Sequence, residues 1–588
     1  MRNVDIYTFI IAGALGVMVQ IIVSSDVAKT LRELFEEDWQ WWLEQHPELA
    51  THLGDHRYND RLTDLSFEAL DLRKKHQREM LDRIEQIDRS QLDGQDLISY
   101  DLFLRNKQIE VEEQRWPVEL APIMQIDGPH LSLPHLAAST PFRNRKDYDD
   151  YLARLAAYPG HIDQVIELMR RGIERKWVMP AIALRSVPAQ IEAQIENDGA
   201  NSPLLKPFQE LPRDLPLGEG ERIAHEGRRR ISKHVIPALD RLSRFIKETY
   251  LPACRSDIAV SSLPDGEAFY AFAVRRHTTT DLTPRQIHEV GLQEVGRIRG
   301  EMEAVIEQVG FRGSFQEFIR YLRTDPRFYF DAAEDLVRAY RDISKRADAR
   351  LPELFAELPR NPYGVREIPA YEAPAQTTAY YHPGAADASR AGYYLVNTYK
   401  LETRPKYEME ALSLHEAVPG HHLQVSRAQE LSDLPEFRRN AVYTAYVEGW
   451  GLYAESLGYE MGFYGDPYSK FGQLTYEIWR ACRLVVDTGM HTFGWTRQQG
   501  IDLMKEKTAK TENDIIIEID RYIAWPAQAL AYKIGELKIK ELKARARREL
   551  QERFDARRFH NALLDDGPLP LDLLEKRVDQ WIANQKGK

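Results

Sequence analysis

Leu414-His415-Glu416-Ala417-Val418-Pro419-Gly420-His421-His422-Leu423-Gln424 holds three histidines and a glutamate around a proline and a glycine. A helix that carries a hydrolytic metal must bring two imidazole nitrogens to about 2.1 Å from one ion, which on regular geometry means positions i and i+4. The residue after the first histidine then turns a carboxylate toward the metal-bound water. Here position i+4 is Pro419. On an ideal helix His421 lies about 120° away from the His415 face, and His422, nearly in phase, lies about 10.5 Å along the axis. Pro419 has no amide to return to the His415 carbonyl, and Gly420 accepts almost any backbone geometry. A bulge here that absorbs two residues returns His421 to the ion, and one that absorbs three returns His422. The smaller distortion favours His421, but spacing alone leaves both open.

A His-Glu pair is a weak signal by itself. Seventeen histidines in an acidic chain produce pairs by chance, at His225, His288 and His415. The third differs in being followed at once by more histidine, which speaks against a polar helix end with surface histidines. It also follows the clearest strand signal in the chain, Gly392-Tyr393-Tyr394-Leu395-Val396-Asn397-Thr398-Tyr399. Downstream, Ala445-Tyr446-Val447-Glu448-Gly449-Trp450-Gly451-Leu452-Tyr453-Ala454-Glu455 has helical apolar spacing. Glu448 and Glu455 are seven apart and share one face, so Glu448 is the candidate third ligand and Glu455 the candidate partner that orients a ligand. Upstream, five prolines between Pro359 and Pro383 exclude a continuous helix.

Farther out the chain reads as helix after helix. Leu31, Leu34, Phe35, Trp39, Trp42 and Leu43 form one apolar stripe. Thr283-Pro284-Arg285-Gln286, Ser314-Phe315-Gln316-Glu317 and Thr496-Arg497-Gln498-Gln499 are capping boxes, the first opening a long helix through Ile287, Val295, Ile298, Met302, Val305 and Ile306. Residues 197–219, rich in Pro, Gly, Asn and Asp, read as a surface loop. The expected architecture is mainly α, a large helical domain over 26–588 with one small antiparallel sheet beside the metal-binding helix, and no firm internal boundary.

Residues 1–25 are of another kind: an apolar run from Ile6 to Val23, then Ser24, Ser25 and the first acid at Asp26. This predicts an export signal, or an anchor through residues 6–23, and hence a periplasmic or secreted protein or one held at the membrane. The 588 residues carry 79 Lys+Arg against 91 Asp+Glu, a net charge of −12, which excludes a protein built mainly to grip nucleic acid. Two cysteines, Cys254 and Cys482, exclude a cysteine-rich zinc site; export allows them to pair without requiring it. Neither a Gly-x-Ser-x-Gly elbow nor a phosphate-binding loop is present.

Several segments together resemble the bacterial family catalogued as domain of unknown function 885, regarded as zincin-like metallopeptidases. They are Asp387–Thr398, His415–His422, Val447–Glu455, Val486–His491 and Arg521–Gly535, within a likeness running from about residue 30 to the C-terminus. Ala391 departs from the pattern, standing where the family has proline. More distantly the motif is similar to glutamate-zincins, in which Gly-His closes a shorter version; that favours His421. The resemblance implies a Zn2+ ion on His415, His421 and Glu448, Glu416 as general base, and a peptide substrate. It implies Tyr532 and His491 as candidate donors to the oxyanion, and Arg521 or Lys533 as a candidate anchor for a substrate carboxylate. It also raises strand Tyr393–Asn397 as an edge on which an extended peptide can pair. The competing class is a peptide-binding scaffold that uses the same cleft without catalysis.

Overall fold

Helix α1 (residues 26–45) buries Leu31, Leu34, Phe35 and Leu43 of the expected stripe, while Trp39 and Trp42 stay half-buried. The Phe35 ring meets Phe103 and Phe437 at 4.9 and 4.8 Å between centroids. Helices α2 (Phe67–Glu85) and α3 (Gly94–Glu113) complete that cluster with Met80, Ile84, Tyr100 and Phe103. The long α4 (Arg145–Glu174) starts at a capping box of Asn144 and Asp147. The computed structural model describes residues 26–587 except 197–201, 210, 213, 214, 217, 370–372, 374, 375 and 385–389. The expected signal or anchor at 1–25 and the Asp387–Ser389 part of the family-like segment lie outside those residues. Within the expected loop 197–219, residues Pro203–Phe208 form a 3-10 helix that buries Leu204, Leu205, Pro207 and Phe208. The polar composition hid these anchors.

By contact the chain divides into two compact units, one up to Val178 with Arg185–Ala253 and Asp433–Arg439, the other Met179–Leu184, Cys254–Ser432 and Asn440–Lys588. In the second unit α5 (Pro284–Gln308) starts on the Thr283–Gln286 capping box, and α6 (Ala333–Leu354) leads into the strands. These are β1 (Tyr363–Glu367), β2 (Ala379–His382) and β3 (Gly392–Val396). Then follow α7 (Met409–Glu416), α8 (His421–Glu430), α9 (Thr444–Leu457), α10 (Pro467–Thr492), α11 (Glu512–Ala524) and α12 (Ala531–Leu550). The architecture is mainly helical with one small sheet. Helix α10, buried almost throughout, is its centre, and α5 packs along it so closely at Gly291 that a Cβ there would fall 2.7 Å from Leu484 Cβ. The capping boxes at Ser314 and Thr496 also form. Cys254 and Cys482 are both free thiols.

The sheet is mixed, not antiparallel as expected: β3 runs parallel to β1 and antiparallel to β2, in the order β1-β3-β2. A parallel pair needs a long crossover, and residues 368–391 supply it; alternation within one strand does not encode its neighbours' direction. Strand β3 is therefore central, with partners on both sides, so it cannot accept an added peptide strand. It also ends at Val396, because the Asn397 side chain turns to donate to the carbonyls of Ala373, Gln376 and Thr377 at 2.8, 3.1 and 3.0 Å.

Candidate metal centre

Helix α7 carries His415 and Glu416 in its last turn and stops. Ala417 (φ −95°, ψ −110°) and Gly420 (φ −75°, ψ −133°) leave helical geometry, and α8 begins afresh at His421. The extra residues are thus taken up by a break between two helices, not by the bulge expected within one. The His422 amide reaches back to the Ala417 carbonyl at 3.1 Å to close the turn. Gly420 passes so near the end of α7 that a Cβ would lie 1.8 Å from the His415 carbonyl oxygen. This sharp return sets the His421 ring against the His415 ring, centroids 4.7 Å apart and planes at 88°.

Helix α9 supplies the third donor. Trp450 Nε1 donates to the Pro419 carbonyl at 2.8 Å and so ties α9 to the break. Gly451 makes room for His415: a Cβ there would sit 2.7 Å from the ring's Cε1 and 2.8 Å from its Nε2. Glu448 Oε2 then lies 3.8 Å from His415 Nε2 and 3.6 Å from His421 Nε2, and the three candidate donor atoms are all within 4.8 Å of one another. Bonds of about 2.0–2.1 Å to one tetrahedral ion put donors about 3.4 Å apart, so each imidazole nitrogen already stands within a few tenths of an ångström of that separation from Glu448 Oε2. Two imidazole nitrogens and one carboxylate oxygen, with a fourth position open, are a donor set that suits zinc. His421, not His422, is brought to this point.

The surroundings prepare these groups. Glu455 is fully buried, and its Oε1 accepts from His415 Nδ1 at 2.8 Å, which leaves Nε2 as the ring nitrogen that faces Glu448. Arg480 Nη2 stands 3.6 Å from the same oxygen. Burial opposes a charge on His415, but Glu448 and Glu455 outweigh it and raise the imidazole to about 9. Burial likewise opposes ionisation of Glu448, yet the two imidazoles hold it well below the usual carboxylate range. The cluster thus favours a cation at its centre. Glu416 is raised, chiefly by burial, and the Tyr381 amide of β2 donates to its Oε2 at 3.0 Å. Glu416, His421 and Glu448 are each part-exposed, so the cluster is reachable from solvent.

His422 belongs to the scaffold. It is buried against the Tyr363 ring at 4.5 Å, with the Tyr381 hydroxyl 2.9 Å from its Nδ1, and burial lowers it to about 4. His491 is also structural, against expectation. Its Nδ1 accepts from the Val260 amide at 3.0 Å and its Nε2 donates to the Tyr522 carbonyl at 3.0 Å, so no ring nitrogen is left for an oxyanion. Lys533 is fully buried on Glu536, Glu477 and Glu294 at 2.7, 2.8 and 3.0 Å and cannot anchor a substrate. Arg521 pairs with Glu518 at 3.0 Å and donates to Gln528 at 2.6 Å. Tyr532 stays close: it is part-exposed, and its hydroxyl is raised by burial and then by the charge of Glu448. Sequence reasoning missed Tyr381, whose backbone contributes, and Arg480 and Arg483 of α10. The paired glycines flanking Trp450 were the available sign that His415 comes close to α9.

A crystal structure of a provisionally assigned lipoprotein from Colwellia psychrerythraea superposes with a TM-score of 0.90 at 28% identity, covering 95% of this chain and 99% of that one. A second provisionally assigned lipoprotein, of unknown function, from Shewanella oneidensis shares the fold with a TM-score of 0.69 at 17% identity, covering 93% and 99%. No curated protein matches the sequence. The profile described as a bacterial protein of unknown function, DUF885, matches residues 47–578. The chain belongs to that family.

Proposed function

We propose that this protein is an exported zinc-dependent peptidase. The observation that carries the reading is the convergence of His415 Nε2, His421 Nε2 and Glu448 Oε2 beside a free carboxylate, Glu416, that is itself oriented by a strand. Zinc, when bound, supplies Lewis acidity toward a carbonyl oxygen and lowers the pKa of a water. Glu416, its carboxylate held by the Tyr381 amide, would accept a proton from the attacking water and pass it to the leaving amine. Glu455 keeps the proton of His415 on Nδ1. Tyr532 is the candidate donor to the developing oxyanion. Among the described residues strand β2 pairs only with β3, and its Tyr381 amide faces the opposite side toward Glu416. An extended peptide laid along that outer edge would run past the cluster.

Export is supported by the apolar run at residues 6–23 and by the lipoprotein assignment of the Colwellia relative. Among the described residues no helix is long and apolar enough to cross a membrane.

The test is metal content by elemental analysis with peptide cleavage alongside. Wild type carries about one zinc and cleaves; Glu416→Gln keeps the metal and loses cleavage; His421→Ala loses both. A folded wild type that takes up no zinc when supplied with it ends the peptidase reading and leaves the scaffold reading in its place.

A further inference from the structure

Helix α9 meets solvent along one narrow strip. Between Thr444 and Glu455 only Thr444, Val447 and Glu448 are part-exposed, and positions three and four apart share a face. The candidate ligand Glu448 stands at one end of this strip, which runs from it to the start of the helix. Thr444 lies about 6 Å from Glu448 along the axis. Helical side chains lean toward the N-terminus, so Glu448 leans along the strip.

The far end of the strip is walled by apolar groups. His277, on the helix Gly266–Thr278, has its Nδ1 3.4 Å from the Thr444 hydroxyl. The Trp525 ring meets the His277 ring edge-on, centroids 6.2 Å apart and planes at 79°. Burial, followed by the charge of Arg276, lowers His277 to about 3, so its imidazole is neutral at ordinary pH. Trp525 is nevertheless 42% exposed, and Val442, two residues before Thr444, is 77% exposed. Apolar surface left bare beside a polar cluster has the character of a binding surface.

The wall is also held rigidly. The Trp525 amide donates to the Arg521 carbonyl at 2.8 Å, where α11 ends. Two residues on, Ala527 has φ +67°, a left-handed conformation that is costly for a residue with a Cβ. Its amide lies 3.2 Å from both carboxylate oxygens of the buried Asp487. The same carboxylate accepts from the Tyr270 hydroxyl at 2.6 Å, on the helix that carries His277. One buried acid thus fixes both the turn that presents Trp525 and the helix that presents His277. Strained backbone of this kind is kept where a side chain must be held in place.

We propose that Trp525, His277 and Val442 form a specificity subsite for a bulky apolar side chain of the substrate peptide. This rests on the peptidase reading and narrows its substrate class to peptides with an aromatic or large aliphatic residue near the scissile bond. The strip decides the occupant, because it joins the wall to the metal cluster along one helix face. An extended peptide advances about 3.3 Å per residue, which places the wall about one to two residues from the bond at the metal.

The test separates binding from cleavage. Zinc-loaded full-length Glu416→Gln protein is titrated calorimetrically with a soluble heptapeptide carrying one Phe and with the same peptide carrying Ala there. The Phe peptide should bind at least about tenfold tighter, the worth of burying a phenyl ring. Adding Trp525→Ala should bring the two peptides within about twofold of each other, whereas Trp525→Phe should keep the preference. Val442→Asp, at a position too exposed to disturb folding, should also lower it and serves as the second variant if circular dichroism shows Trp525→Ala to be misfolded. Equal binding of the two peptides, no binding of either, or a preference that survives in folded Trp525→Ala protein overturns the proposal. The peptidase reading fails on a different result: zinc-loaded wild type that binds the Phe peptide with the same preference and cleaves neither.

Discussion

Around His415, three neighbours divide the work of presenting one nitrogen. Gly451 makes room for the ring, Gly420 lets the chain return beneath it, and Glu455 fixes which nitrogen bears the proton. Replacing Glu455 with Gln keeps the shape but removes the negative charge that strengthens the ligand. Zinc affinity, read by competition with a chromophoric chelator, should fall about 10–100-fold; unchanged affinity would mean that the 2.8 Å contact has no bearing on the metal. His422 makes the contrasting case. His422→Ala should keep its zinc yet lose about 1–3 kcal/mol of stability in urea, because it empties the space of a buried imidazole packed on Tyr363 and takes a partner from the half-buried Tyr381 hydroxyl. Loss of zinc with stability retained would exchange the roles of the two adjacent histidines. At this scale the sequence was informative: His415, Glu416 and His421 lie within seven positions, and Glu448 and Glu455 lie a heptad apart on one face. The errors came where a side chain's partners are backbone groups distant in sequence. Nothing near His491 announces that Val260 and the Tyr522 carbonyl will occupy both its nitrogens.

Between elements, the decisive contact is the crossing of α9 and α12. A Cβ on Gly449 would stand 2.5 Å from the Gly535 Cα, and one on Gly535 would stand 1.9 Å from the Ala445 carbonyl oxygen. Both helices must present bare backbone for Glu448 and Tyr532 to share one neighbourhood. Gly535→Val should therefore force the helices apart, costing about 3 kcal/mol in denaturant unfolding and weakening zinc binding together. A stability loss with zinc affinity intact would show that α12 does not position α9. Helix starts were legible because a capping box is written within four residues, as at Thr283, Ser314 and Thr496. One small sheet and its strand β3 were legible too, but the strand directions were not, because direction is decided by chain crossings rather than by residue pattern. Strands β1 and β2 are short and sit among prolines, which masked them. The helix break was half legible: Pro419 and Gly420 marked its place, but whether the chain bulges or stops depends on Trp450, thirty-one residues on, anchoring the Pro419 carbonyl.

Over the whole molecule the net charge of −12 conceals how charge is arranged inside. Composition shows neither the division into two units nor that the short stretch Asp433–Arg439 belongs with the first. Nor does it show the ion network that joins the long helices of the second unit. There Lys533 of α12 meets Glu536 of its own helix, Glu477 of α10 and Glu294 of α5, with Arg297 also on Glu477. Such a network adds little over a hydrophobic core of the same volume, but removing one member leaves its partners charged and unpaired. Lys533→Met should therefore destabilise the second unit by about 3–5 kcal/mol at neutral pH. The pH dependence has a definite sign. Burial raises Glu477, but Lys533, Lys540 and Arg297 together hold it far below its ordinary value. A carboxylate held low in the folded state contributes stability above its unfolded pKa, about 4.5, and that contribution is lost as pH falls through this value toward the folded one. Without Lys533 most of that contribution is absent, and protonating the orphaned acids relieves the variant. The gap between wild type and Lys533→Met in urea unfolding should be widest near pH 7.5 and should narrow as pH drops toward 4.5. A gap that widens in acid would mean that the destabilisation comes from packing around the methionine and not from the carboxylates.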